Sequence, residues 1–302
     1  MRYSLGLPTT QVDAPEEFLT GTAIMEMARA AEDLGFDAVY VTDHPAGDQR
    51  WLETGGHHAL DPFVALSFAA AATTRLRVQT HILVLPYRNP FLTAKSVLSL
   101  DVLSGGRLVL GVAAGYLRSE FNALGVDYEE RNDLFDEALE VMKLALTQDA
   151  VAYEGRHFRS RGTTMRPRPV QQPYPPVWVG GNSTLAMRKA VEAADGWCPF
   201  PNPVATSAAT KTPALASLDD LAARLADARE HATKVGRTAP LDVCFAPVSL
   251  SMAHAGPADL GAVRDEIASL EALGVTQTTI GVEADDRATW LRKLDELATN
   301  VL

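Results

Sequence analysis

The sequence predicts a closed (β/α)8 barrel, and three observations carry that expectation. Eight strand-forming stretches alternate with eight helical ones along 302 residues, the pattern of a parallel sheet covered by crossover helices. Residues 75–121, RLRVQTHILVLPYRNPFLTAKSVLSLDVLSGGRLVLGVAAGYLRSEF, hold a complete strand, helix, strand unit of the length a parallel crossover needs. Helix-to-strand connections are tight, at Gly35, Thr73, Gly105 and Gly274, whereas the loops leaving strands two, four and six are long. In a barrel those long loops share the C-terminal face, where such enzymes keep their chemistry.

Taken in order, strand one covers residues 2–7, and helix one covers 22–34 with Gly35 closing it. Strand two (38–42) leads into the irregular loop DHPAGDQRWLETGGHHALD. Helix two (62–72) has Asp61 as N-cap and Pro62 at its first position. Strand three (78–85) is bounded by Pro86. Helix three (91–103) carries Leu92, Val97, Leu98 and Val102 at helical spacing before the stop Ser104-Gly105-Gly106. Strand four (108–112) breaks into VAAGY. Helix four (133–146) has Leu134, Phe135, Ala138, Val141, Met142 and Ala145 on one stripe.

A hairpin, VAYEGRHFRSRG, and a proline-rich approach then reach strand five in PVWVGG, helix five (184–194) and strand six in DGWCPF. Residues 199–216 form a loop, and helix six starts at Ser217 with acidic residues in its first turn. Strand seven (241–248), helix seven (257–273), strand eight (276–280) and helix eight (288–299) complete the pattern. Trp290, Leu291, Leu294 and Leu297 share one face of that last helix. No composition shift marks a linker, so residues 1–302 are expected to be a single domain.

With 22% charged and 47% hydrophobic residues the composition is that of a soluble globular protein. A net charge of -11 argues against a nucleic-acid partner or an anionic membrane surface, which leaves a small-molecule substrate. The longest apolar run, FVALSFAAAA, is far short of the roughly 20 residues that span a bilayer. The chain opens on a strand with no targeting pattern, so a cytoplasmic location is expected. Cys198 and Cys244 are too few and too scattered along the chain for a disulfide framework or a zinc site.

Strand two ends in VTDHP, which sets Asp43 and His44 at the mouth with Pro45 holding His44 extended. A histidine there can exchange a proton near neutral pH, and the pair equally describes a polar cap on a strand end. In PVWVGGNST, Gly180 and Gly181 end strand five, and Asn182, Ser183 and Thr184 open a helix. Free N–H groups at such a turn suit a phosphate, and the same residues also make an ordinary turn and N-cap. Gly111 to Tyr116 lacks G-x-G-x-x-G, and no G-x-x-x-x-G-K-[ST] occurs, which disfavours nicotinamide and nucleoside-triphosphate folds.

Metal-dependent hydrolase barrels need clustered His and carboxylate ligands. Strand one has no His, and His57-His58 has no partner spacing, so no metal is expected. Lys95, Lys143, Lys189, Lys211, Lys234 and Lys293 fall in helices or loops, which disfavours Schiff-base chemistry. The basic run Arg156, His157, Arg159, Arg161, Arg166, Arg168 lies between helix four and strand five. Topology sends it to the N-terminal end of the barrel as a solvated hairpin. Trp51, in the loop after strand two, is a candidate for substrate contact or for packing that loop to the barrel.

Taken together, VTDH, residues 75–126 and RPRPVQQPYPPVWVGGNSTLAMRKAVEAADGWCPF resemble the bacterial luciferase-like family, particularly its branch using the deazaflavin coenzyme F420. The likeness covers most of residues 1–200, and the order and spacing of the pieces carry it. It implies a (β/α)8 barrel, often a homodimer, holding a flavin or deazaflavin at its C-terminal mouth. It also implies a non-proline cis peptide near His81 and Ile82 behind the ring, with Asp43 and His44 facing the ring. Gly115 and Tyr116 would flank the pocket, and Gly180 to Thr184 would hold the phosphate. Hydride would pass between a small organic substrate and F420, with His44 as proton donor or acceptor. Tyr116 stands where sugar-phosphate-oxidising members carry a glutamate, which leaves the partner of His44 unassigned. Two alternatives accompany this reading: a monooxygenase of the same fold using reduced FMN and oxygen, and a non-catalytic flavin-binding protein.

Overall fold

The computed structural model describes residues 1–205, 207, 212–251 and 259–302. Eight parallel strands form the barrel: β1 Arg2–Gly6, β2 Ala38–Val41, β3 Arg77–Val84, β4 Leu108–Ala113, β5 Val177–Gly180, β6 Gly196–Cys198, β7 Asp242–Val243 and β8 Gln277–Ile280. Their order is β8-β1-β2-β3-β4-β5-β6-β7. The parallel bridge Cys244↔Gln277, with Thr276 N–H donating to Val243 and Phe245 N–H to Gln277, joins β7 to β8 and closes the ring.

The eight major helices are α1 Gly21–Asp33, α2 Pro62–Ala72, α3 Pro90–Leu103, α4 Arg131–Thr147, α5 Thr184–Ala193, α6 Leu218–Lys234, α7 Leu260–Leu273 and α8 Arg287–Val301. Their caps follow the sequence signals. Asp61 accepts from Phe63 and Val64 N–H, Ser217 from Asp220 N–H, and Gly274 takes the left-handed conformation after α7. The main apolar core lies between strands and helices, with Leu5, Val39, Val78, Leu110 and Val177 against Met27, Leu66, Val97, Phe135 and Met142. Inside the barrel, Val109, Trp178, Cys198 and Cys244 pack with Ile82. Below them Gln277 donates to Gln79 at 2.7 Å.

Some sequence expectations need correction. Strand seven is short: Pro247 has no N–H to offer, and Val248–Ser251 turns into a small helix. Helix seven starts at Leu260 with Asp259 as cap, while Pro257 lies outside the described residues, as does Lys211. The long loops fold locally: Gln49–Glu53, capped by Asp48, follows β2, and Arg118–Ala123 follows β4.

Only part of the basic run sits at the N-terminal end. Arg166 and Arg168 pair there with Asp149. The antiparallel hairpin Val151–Glu154/Arg159–Thr163 climbs the outside of α4, so Arg156 at its tip reaches Glu130 and Asp133 near the mouth. Its backbone is pinned by the Glu137 carboxylate, which accepts from His157 and Phe158 N–H.

Leu92 and Val102 face outward instead of into the core. Together with Val64, Phe68 and Leu103 they leave an exposed apolar face on the neighbouring helices α2 and α3. Both helices are thus apolar on two sides, unlike an ordinary surface helix. Among the described residues, no helix is long and apolar enough to cross a membrane.

Candidate active site

The C-terminal ends of β2 to β6 surround a cavity of about 560 Å³. Its bed is made at β3, where the peptide between His81 and Ile82 is cis and the pairing with β4 shifts register between Thr80 and Leu83. The neighbouring strands leave room for this bulge. A Cβ on Gly111 would stand 2.3 Å from the Thr80 carbonyl oxygen, and one on Gly180 would stand 2.1 Å from Ile82 Cδ1. Glycine at both positions lets the Ile82 side chain lie across the barrel mouth as an apolar shelf.

His44 lines the cavity on one side. Its Nδ1 lies 3.3 Å from Glu120 Oε2, and the Glu120 side chain is 0% exposed. Glu120 is held by two further donors: Ala46 N–H at 3.2 Å and Tyr87 O–H at 2.9 Å. With Glu120 as carboxylate it only accepts, so Nδ1 carries the histidine proton and Nε2 is the atom that exchanges one. Burial and the adjacent Glu120 push the Tyr87 hydroxyl well above its ordinary range. The same two causes push Tyr116 up to about 12. Both phenols are therefore neutral at physiological pH, and Tyr87 donates to Glu120.

Trp51 packs against His44 with its ring tilted by 39° and centroids 4.5 Å apart, and His57 meets His44 edge-on at 4.9 Å. Burial lowers the pKa of His57. Burial also brings His81 down to about 4, so its imidazole is neutral near pH 7.

Several residues proposed from sequence occupy other roles. Asp43 borders the cavity, but its carboxylate is spent on the fold: it accepts from Val84 N–H at 2.9 Å and from Arg88 at 2.7 Å. Burial raises its pKa, opposed by Arg88 and the Val84 N–H. Asn182 is buried and ties loops together, donating to the Phe200 and Pro213 carbonyls and accepting from Phe200 N–H. Thr184 accepts from Arg224 and does not line the cavity. Trp51 does not line it either; it covers His44.

Gly115, Tyr116, Gly180, Gly181 and Ser183 do line it, with Ser183 capping α5 through Ala186 N–H. The sequence reading missed Glu120, Tyr87 and Arg88, and it also missed Thr42, Arg131 and Lys189 on the cavity wall. Among the described residues Thr42 Oγ1 is buried without a partner, and Thr42 belongs to this wall, so the site has an unsatisfied polar group for a ligand. An apolar shelf, an unpaired hydroxyl and a helix N-terminus with Lys189 on the same helix fit a flat heterocycle carrying a phosphate.

The family model of luciferase-like monooxygenases matches residues 1–259. The chain belongs to that family. An uncharacterised Mycobacterium tuberculosis protein is 30% identical over 283 residues, covering 88% of this chain and 90% of that one. An FMNH2-dependent dimethylsulfone monooxygenase of Pseudomonas putida is 30% identical over 219 residues, covering 70% of this chain and 55% of its own length. The coenzyme F420-dependent tetrahydromethanopterin reductase of Methanopyrus kandleri has the same fold, with a TM-score of 0.75 at 18% identity, covering 99% of this chain and 98% of that one. Proteins sharing this fold thus include an F420-dependent enzyme, and the proteins similar in sequence include an FMNH2-dependent one.

The clamp assigned to Asp43 is testable. Asp43→Ala leaves Val84 N–H and Arg88 without their shared acceptor, and is expected to lower the unfolding free energy by about 2–4 kcal/mol. Denaturant titration reads this directly, and an unchanged midpoint would show that Asp43 does not hold β2 to β3.

Proposed function

We propose that this luciferase-like oxidoreductase uses the deazaflavin coenzyme F420 and transfers hydride between it and a small organic substrate. The observation that carries the reading is the buried His44–Glu120–Tyr87 chain, with His44 on the cavity wall and Ile82 forming its bed. Hydride transfer to or from an oxygen- or nitrogen-bearing carbon needs a proton exchanged at the heteroatom, and His44 Nε2 is placed to exchange it. Glu120 orients the imidazole and stabilises its charged form, as the carboxylate does in other His–carboxylate pairs.

The Ser183 N–H at the start of α5 would take the coenzyme's phosphate, with Lys189, paired here with Asp136, on the same helix, and Thr42 Oγ1 would bond the ring edge. When bound, the deazaflavin supplies a two-electron hydride donor or acceptor. Trp51 and Tyr116 shield His44 from bulk water, which keeps the proton exchange directed at the substrate.

The 30% identity to the FMNH2-dependent enzyme favours the second reading, a monooxygenase using reduced FMN and oxygen. Titrating the purified protein with F420 and with FMN separates the two. Saturable F420 binding with weak or no FMN binding is expected; tight FMN binding with none for F420 overturns the first reading. His44→Ala is expected to lower turnover by about 10²–10⁴-fold with cofactor affinity little changed. Unchanged turnover in that variant removes His44 from the mechanism.

We also propose that the protein works as a homodimer joined through α2 and α3. The support is the face of Val64, Phe68, Leu92 and Leu103, exposed by 59%, 42%, 71% and 75%, which water disfavours and a second copy would cover. Light scattering should give twice the chain mass for the wild type and the monomer mass for Phe68→Glu/Leu92→Glu. A wild-type monomer, or a variant that still pairs, contradicts this interface.

A further inference from the structure

We propose that His81, Cys198 and Cys244 form a site for a thiophilic divalent ion, with Zn²⁺ as its representative, in the wall of the barrel mouth. The two cysteines, 46 positions apart in sequence, are the only ones in the chain. Folding removes that separation. Strands β6 and β7 pair in parallel with Gly196↔Asp242 and Trp197↔Val243, so the next residue of each, Cys198 and Cys244, arrive side by side. Both thiols are free and buried, and both belong to the cluster inside the barrel. His81, brought in from β3, completes a group whose ligand atoms all lie within 4.8 Å of one another. Strand register thus makes neighbours of two cysteines that lie far apart in sequence.

The donor set suits the ion. Zinc bonds of about 2.3 Å to sulfur and about 2.0 Å to nitrogen place tetrahedral ligand atoms roughly 3.5–3.8 Å apart, so side-chain adjustments of about 1 Å close the site. Two thiolates and a neutral imidazole around a divalent cation sum to zero charge. That balance matters among Val109, Trp178 and Ile82, where an isolated charge is costly. Binding releases both thiol protons: two RSH and Zn²⁺ give Zn(SR)₂ and two H⁺.

Neutral amides supply the outer shell. Gln277 Nε2 donates to Cys244 Sγ at 3.8 Å and to Gln79 Oε1 at 2.7 Å, so the two amides stand behind the sulfur ligand. Access is open, because His81 and Cys198 both line the cavity. Three protein ligands leave a fourth position on the cavity side, the arrangement of an exchangeable rather than a closed structural site.

The test uses the full-length reduced protein, stripped by chelator and titrated with Zn²⁺ against a chromogenic competitor, and in parallel with Co²⁺. The expected result is one ion per chain, a thiolate-to-cobalt charge-transfer band, and a Zn²⁺-dependent rise in melting temperature. Cys198→Ala and Cys244→Ala, verified as folded by circular dichroism, each lose the band and the rise. His81→Ala keeps the band with weaker binding. A wild type that takes up no ion, or that binds no more than Cys244→Ala does, overturns the proposal. So does a protein whose two thiols oxidise to a disulfide with peroxide but which binds neither ion when reduced. These readouts do not depend on which organic cofactor the protein uses.

Discussion

Two missing methyl groups set the shape of this site. Without a Cβ at Gly111 the Thr80 carbonyl can sit close against β4, and without one at Gly180 the Ile82 side chain can reach β5. Overpacking of that kind costs about 1–3 kcal/mol where the surroundings can yield, and at Gly111 the obstacle is backbone, which yields least. The bulge at residues 81–82, the apolar shelf and the cavity beyond it all follow from that clearance. Strand-end glycines that look like generic turn residues are therefore the condition for the cavity floor.

Environment divides labour between two buried carboxylates near the mouth. Asp43 is matched by a backbone N–H and a guanidinium, which makes it a clamp between β2 and the end of β3. Glu120 is matched by a phenol, a backbone N–H and the His44 imidazole, none of which carries a fixed positive charge. Its charge is thus available to the imidazolium that forms when His44 takes a proton. Arg88 extends the first clamp to Asp61, the N-cap of α2, so the helix start and the strand ends share one ionic network. This couples the order of the mouth to the packing of α2.

Much of the barrel could be read from the chain because its signals are local. Asp61-Pro62, Ser217 and Gly274 each cap a helix through neighbours in sequence, and the stripe on α4 declares its buried face within four turns. What escaped were contacts made by folding. His44 and Glu120 are 76 residues apart, and Glu120 on a short helix looks like any solvated acid until β2 and β4 bring it inward. Asn182 and Thr184 sit in a motif that suits a phosphate, yet their side chains are claimed by loops and by Arg224. Topology alone places the hairpin after α4 at the N-terminal end of the barrel, whereas its length carries Arg156 back to the mouth. Cys198 and Cys244 illustrate the same limit, since only strand register makes them neighbours.

The proposed deazaflavin would lie in this cavity between the Ile82 shelf and His44, with its phosphate at the start of α5. A crystal structure of the protein soaked with F420 tests it most directly. The expected result is the ring against Ile82, its edge within hydrogen-bond reach of Thr42 Oγ1, and the phosphate on the Ser183 N–H at the start of α5. A coenzyme bound with its phosphate away from α5, or its ring out of reach of His44, would contradict it.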